Sequence, residues 1–229
     1  MTEYSLRAKL ITEFIGTFFL TLTICLAVVF GTVDSEFAPF AIASTLMVMI
    51  YAGGHVSGAH YNPAVTVAIY LRGSCEKSDI APYIASQIAA ATMAAVIASE
   101  VFMPGESGGE EMVMEAVPAL AAELVFTFAL AYVILNVATS ESTEGNGYYG
   151  AAIALVVLAG ALTVGSISGA SFNPAVSVSL IVAGGLGVAD SWIHFAPQIA
   201  GGALACLLYT SPSPRDQRGW GVGGGGGKK

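Results

Sequence analysis

Gly-His-Val-Ser-Gly-Ala-His-Tyr-Asn-Pro-Ala-Val (Gly54–Val65) is echoed 111 positions later by Gly-Ser-Ile-Ser-Gly-Ala-Ser-Phe-Asn-Pro-Ala-Val (Gly165–Val176). The same offset of 111 carries Gln87-Ile88-Ala89 onto Gln198-Ile199-Ala200, and an offset of 110 carries Glu13 onto Glu123. A chain that repeats itself in this way is built from copies of one structural unit. Each copy reads as a helix with a glutamate, a second helix, an Asn-Pro-Ala segment and a helix with a glutamine.

The apolar residues around these segments fall in long blocks. Leu10–Gly31 holds one charge, Glu13; Ala38–Ala52 holds none; Ile80–Met103 holds one, Glu100. Ala116–Ala138 holds one, Glu123; Gly150–Gly165 holds none; Trp192 opens a further block. Crossing a hydrocarbon core of roughly 30 Å takes about 20 helical residues. The two shorter blocks have uncharged flanks that lengthen them. The expected fold is an all-α membrane protein of six transmembrane helices. With 55% hydrophobic residues and only 10% charged, no soluble domain of this length could hide the apolar surface. Leu10–Gly31 is too long for a signal peptide and has no small-residue cleavage pattern behind it.

Each copy contributes three full spans, an odd number, so the second copy must lie upside down. Inverted repeats place their functional site near the membrane midplane, between the halves. The expected boundaries are 1–103 for the first repeat, 104–115 for an acidic connector and 116–205 for the second repeat.

After Asn62 and Asn173 come apolar runs too short to span, Pro63–Leu71 and Pro174–Ala183. Asn is a favoured N-cap and Pro suits the first helical turn, so each run reads as a re-entrant half-helix. Irregular backbone at membrane depth survives only when buried in protein or lining a water-filled cavity. Inversion brings the two half-helix N-termini together near the centre, where their positive dipole ends add. The side chains of Asn62 and Asn173 can then offer N–H donors into a lumen. The carbonyls of Gly58, Ala59, His60 and Tyr61, and of Gly169, Ala170, Ser171 and Phe172, can accept a solute's hydrogens.

Two Asn-Pro-Ala segments (Asn62-Pro63-Ala64 and Asn173-Pro174-Ala175), each after Ser-Gly-Ala in a six-helix chain, resemble the aquaporin (major intrinsic protein) family from Ile11 to about Ala205. The resemblance implies a passive channel for water or small uncharged solutes such as glycerol or urea. It also implies two re-entrant loops, a pore in each subunit and a homotetramer. Glu13 and Glu123 invite a functional reading, because intramembrane carboxylates are costly. In the resembled family such glutamates accept hydrogen bonds from the re-entrant loops, a structural role. An ion-coupled transporter using Glu13 or Glu123, and a non-conducting structural member, are the alternatives.

Counted from the motifs, the outer constriction of the resembled family falls on Ile42, Ala161, Ala170 and Val176. The arginine usual after the second motif is replaced by Val176, as Val65 stands after the first. Without a fixed charge or an aromatic residue, the expected constriction is wide and apolar, tolerating larger neutral solutes. Side chains from the Glu106–Glu115 loop could refill it. His55 and His60 precede the first motif and could gate by pH, although packing and pore lining suit them better. His194 and Trp192 read as interfacial, and Ala85, Ala89, Gly201 and Gly202 as sites of close helix approach.

Ahead of the tail the basic residues are Arg7, Lys9, Arg72 and Lys77. Arg7 and Lys9 precede the first helix and Arg72 and Lys77 follow the second, which places both clusters on one side. Basic residues mark the cytoplasmic face, so the acidic stretches Asp34–Glu36 and Glu106–Glu115 are expected outside. The chain is expected in the plasma membrane with both termini cytoplasmic. Glu141 and Glu144 lie inside with no basic neighbour. No nucleophile–base set, metal spacing or phosphate loop appears, so neither an enzyme, a cofactor, a metal nor a nucleic-acid partner is expected. Cys25, Cys75 and Cys206 read as packing residues.

From Cys206 the composition breaks into Pro-Ser-Pro-Arg-Asp and a glycine run, Gly223–Gly227. Cys206–Asp216 is what one frame of a common transposase-type sequencing adapter encodes. Residues 206–229 are therefore expected to be a non-native tail, with the natural sixth helix cut near Ala205.

Overall fold

The computed structural model describes residues 4–210. Its helices are α1 (Leu6–Ile24), α2 (Ala38–Ser57), α3 (Pro63–Leu71), α4 (Lys77–Ile97), α5 (Ala116–Ala138), α6 (Tyr149–Ser168), α7 (Pro174–Val182) and α8 (Trp192–Thr210). Six of these elements are long and apolar enough to cross a membrane, with α1 extended by a π-helical turn to Val29 and α4 by another to Phe102. The two blocks that looked short are lengthened by their uncharged flanks into helices of 20 residues each, Ala38–Ser57 and Tyr149–Ser168. The half-helices α3 and α7 have nine residues each, about 14 Å at 1.5 Å per residue, and reach only halfway.

The repeats interlock. Besides packing within its own repeat, α3 lies against α8 and α7 lies against α4, so each half-helix is cradled by the other repeat. A Cβ on Gly201 would stand 2.6 Å from the Leu124 carbonyl oxygen, and one on Gly202 2.8 Å from that of Ala64. These glycines let α8 approach α5 and α3 closely. In the first repeat the expectation for Ala85 and Ala89 fails: both are exposed, and Ala90, Ala91 and Ala94 are buried instead. Gln87 fixes the inward face, and positions three, four and seven residues on share it.

Lys9 donates to Asp79 at 3.2 Å, joining the start of α1 to that of α4 at the basic end. At the opposite end the acidic connector is tied down by Gly109 N–H donating to the Val29 carbonyl at 2.8 Å. Helix α8 continues past Ala205 to Thr210, with Leu207 and Leu208 exposed. The rest of the expected adapter-derived tail, 211–229, lies outside the described residues.

Candidate functional site

Each re-entrant loop begins at a glycine with left-handed backbone, Gly58 (φ 86°) and Gly169 (φ 76°). The left-handed conformation recurs at alternate non-glycine residues, Ala59 (52°) and Tyr61 (50°), Ala170 (48°) and Phe172 (48°). Such residues cost of order 1–3 kcal/mol each and persist only where surroundings hold them.

The holding groups are Glu13 and Glu123. Glu13 Oε1 accepts from Ser57 Oγ (2.7 Å) and His60 N–H (2.9 Å); Oε2 accepts from Tyr61 N–H (2.7 Å) and Gln87 Nε2 (2.9 Å). Glu123 repeats the pattern with Ser168 Oγ (2.7 Å), Ser171 N–H (3.0 Å), Phe172 N–H (2.8 Å) and Gln198 Nε2 (2.7 Å). Both carboxylates are fully buried, and neither lines the cavity described below. Four donors apiece, two from loop backbone, bind each glutamate to its loop. The glutamine partners also donate at 3.1 Å to Thr66 Oγ1 and Ser177 Oγ on the half-helices.

The loops cross at their tips. Asn62 Oδ1 caps α3 by accepting from Ala64 N–H (2.8 Å), and Asn173 Oδ1 caps α7 through Ala175 N–H (2.9 Å). The amide nitrogens reach across: Asn62 Nδ2 donates to the Phe172 carbonyl and Asn173 Nδ2 to the Tyr61 carbonyl, both at 2.9 Å. Each asparagine thus retains one N–H, and both side chains line the same cavity. Pro63 and Pro174, at the first helical position, cost no hydrogen bond there.

That cavity has a volume of about 1360 Å³ and is lined from Val33, Ser35 and Glu110 at the acidic end to Ser74, Glu141 and Asn146 at the basic end. Of the eight loop carbonyl residues, seven line it, and Phe172 does not. The Tyr61 and Phe172 carbonyls receive the asparagine amides. The carbonyls of Gly58, Ala59, His60, Gly169, Ala170 and Ser171 accept no hydrogen bond from the described residues. Ile42, Ala161, Ala170 and Val176 all line the cavity, as does Val65. Among the described residues its charged lining is acidic: Glu110, Glu141 and Glu144, with no lysine or arginine.

His55 and His60 also line the cavity. The His60 ring is buried, with Nδ1 3.2 Å from Thr66 Oγ1 and its centroid 5.0 Å from that of Tyr83. His194 is not interfacial. It is 1% exposed, its Nδ1 3.2 Å from Ser177 Oγ, which is itself 2.7 Å from Ser171 Oγ. The repeat offset of 111 would have placed it, since it puts His194 opposite Tyr83 and Ser171 opposite His60. Trp192 is half exposed. Also unforeseen from the sequence is what lies under the loop aromatics: a Cβ on Gly16 would come within 2.2 Å of the Tyr61 ring, and one on Gly160 within 2.4 Å of Phe172.

Six membrane-capable helices, two half-helices meeting tip to tip and a cavity passing their junction define a membrane channel built from inverted halves. The sequence profile of the family described as Major intrinsic protein matches residues 1–209, and the chain belongs to that family. It is similar to aquaporin NIP1-3 of Oryza sativa subsp. japonica, 34% identical over 91% of this chain and 75% of that one. It is likewise similar to the putative aquaporin NIP4-1 of Arabidopsis thaliana, 32% identical over 89% of this chain and 74% of that one. Among solved structures, the aquaglyceroporin from Plasmodium falciparum shares the fold, with a TM-score of 0.76 at 21% identity, covering 90% of this chain and 96% of that one. The protein is accordingly a channel for water and small neutral solutes, not an enzyme.

Proposed function

We propose that the cavity passes water and small uncharged solutes of glycerol or urea size passively, and that the crossed asparagines form its selective centre. The observation that carries this reading is the pair of bonds Asn62 Nδ2 to Phe172 O and Asn173 Nδ2 to Tyr61 O. They fix both amides so that the remaining N–H of each is available to a solute oxygen at the half-helix junction. On either side a ladder of three unpaired carbonyls, Gly58 to His60 and Gly169 to Ser171, accepts the solute's hydrogens. A water whose oxygen is held by two donors turns its hydrogens outward in both directions, which interrupts a proton wire. The two half-helix N-termini present positive potential at the same point, so protons and other cations are repelled.

The outer constriction consists of Ile42, Ala161, Ala170 and Val176, without an arginine, and sets a loose limit on solute size. Glu13 and Glu123 hold the loops. The carboxylates' sets of four partners, and their place behind the lining residues rather than among them, support that role over ion coupling. The chain works in the plasma membrane as a homotetramer with a pore in each subunit. Its basic end, with Arg7, Lys9, Arg72 and Lys77, faces the cytoplasm. Domain limits of 1–103, 104–115 and 116–205 follow the repeat, and 206–229 are foreign to it.

Stopped-flow light scattering on proteoliposomes tests the reading with sucrose, glycerol and urea gradients and with Val176→Arg in parallel. Fast water together with fast glycerol or urea flux, narrowed by the arginine, is expected. Fast water with glycerol and urea both excluded would refute the wide constriction.

A further inference from the structure

The acidic connector does more than join the repeats. Gly109 N–H donates to the Val29 carbonyl at 2.8 Å, and Met112 N–H donates to the Gly185 carbonyl at 3.2 Å. The connector is thereby pinned at the end of α1 and again beyond α7. Gly108 is wedged there: a Cβ on it would stand 2.6 Å from the Ala183 carbonyl oxygen and 2.9 Å from Val29 Cγ1. From Glu110 to Val113 the side chains alternate, as in an extended chain. Glu110 and Met112 line the cavity, whereas the Glu111 carboxylate sits against Gly187 and Val113 is 96% exposed.

Met112 lines the cavity beside the start of the second re-entrant loop. A Cβ on Gly169 would lie 2.9 Å from Met112 Cε and 3.4 Å from its Sδ, so the thioether packs directly on that glycine. Gly169 begins the second carbonyl ladder, and the next residue, Ala170, is one of the four constriction residues. Ala161 and Ala170 leave space that a long side chain can fill. Methionine has three rotatable bonds, no charge and only a weak acceptor. It can narrow a passage without supplying the fixed hydrogen-bond donors of an arginine.

We infer that Met112 is a specificity-determining residue of the channel: its thioether, delivered by the pinned connector, sets the upper size limit for neutral solutes at the outer constriction. The inference rests on the reading of the cavity as a conducting pore. The width of that pore is a property of a flexible side-chain type on the connector rather than of the helices alone. Removing the thioether widens the passage for carbon-bearing solutes and barely alters water. A larger rigid ring closes the passage to those solutes first.

The test compares Met112→Ala, Met112→Trp and Val113→Ala with the unsubstituted chain in proteoliposomes. Water, urea, glycerol and a four-carbon polyol are the permeants, and thermal unfolding in detergent checks that each variant is folded. Met112→Ala should raise the glycerol-to-water flux ratio severalfold and admit the four-carbon polyol. Met112→Trp should lower the urea and glycerol ratios, and Val113→Ala should leave all ratios unchanged. A conducting parent whose ratios are the same in both Met112 variants would overturn this inference alone. A folded parent with no flux of any permeant would overturn the channel reading and the inference with it.

Discussion

The two re-entrant loops are alike where they are held and unlike where they face their surroundings. The carboxylate, serine, two backbone N–H groups and glutamine around Glu13 recur around Glu123, with all eight distances between 2.7 and 3.0 Å. Around this shared frame the residues have diverged. His60 beside Tyr83 in the first half becomes Ser171 joined through Ser177 to His194 in the second, and Tyr61 lies over Gly16 of α1 whereas Phe172 lies over Gly160 of α6. Backbone donors at membrane depth must be satisfied in both halves, which leaves no freedom. Side chains behind the loops need only fill volume and pair their polar atoms, and several solutions serve. The valines after the motifs, Val65 and Val176, have stayed the same where the resembled family sets an arginine in the second.

The largest effect is expected from removing either carboxylate. Glu13→Ala and Glu123→Ala each orphan four buried donors, at about 1–3 kcal/mol apiece. Neither variant should be recovered folded in detergent, and Glu→Gln at each site should fall between it and the parent in thermal unfolding. A Glu123 variant as stable as the parent would break the equivalence of the halves.

Overpacking comes next. Gly16→Ala and Gly160→Ala drive a methyl into the Tyr61 and Phe172 rings, at 2.2 and 2.4 Å, and should each cost about 1–3 kcal/mol in chemical denaturation. Gly16→Ala should also slow water flux, because Tyr61 carries the carbonyl that holds Asn173.

Val176→Arg should change stability little and selectivity much: glycerol and urea flux fall while water persists. Val65→Arg, its mirror on the inner half, sharpens the comparison. Equal narrowing by both arginines would mean that the pore is still symmetric in width, whereas narrowing by Val176→Arg alone would place the size limit on the outer side.

The smallest effect belongs to His60→Ser, which imports the second half's residue. One side-chain bond to Thr66 is lost, worth about 0.5–1.5 kcal/mol, and the shorter side chain opens rather than blocks the cavity. Thermal unfolding and water flux should both stay close to those of the parent.

Much of this was legible because repetition and hydropathy are sequence properties. The twelve-residue match fixed the inverted architecture, and the length of the apolar runs after Asn62 and Asn173 fixed the half-helices to within a residue. Glu13 and Glu123 were legible as loop supports only through the family resemblance, since spacing says nothing about which donors a buried carboxylate will meet. His194 was misplaced at the interface because its position near a helix start outweighed its register against Tyr83. Ala85 and Ala89 were misplaced because small size says nothing about which face a residue occupies. The crossed amide bonds join positions 110 and 112 residues apart, and no local pattern encodes them. Met112 is legible in the sequence only as a member of the Glu106–Glu115 loop offered as a filler of the constriction, because its placement depends on two tethers to distant backbone.

The central claim is that the Asn62–Asn173 junction lets neutral solutes through and stops protons. The most direct measurement records water flux and proton flux together in proteoliposomes, with a valinomycin-clamped potassium potential driving protons inward. Rapid water movement with proton entry no faster than in protein-free vesicles is expected. Proton entry that rises with protein content alongside water flux would contradict it.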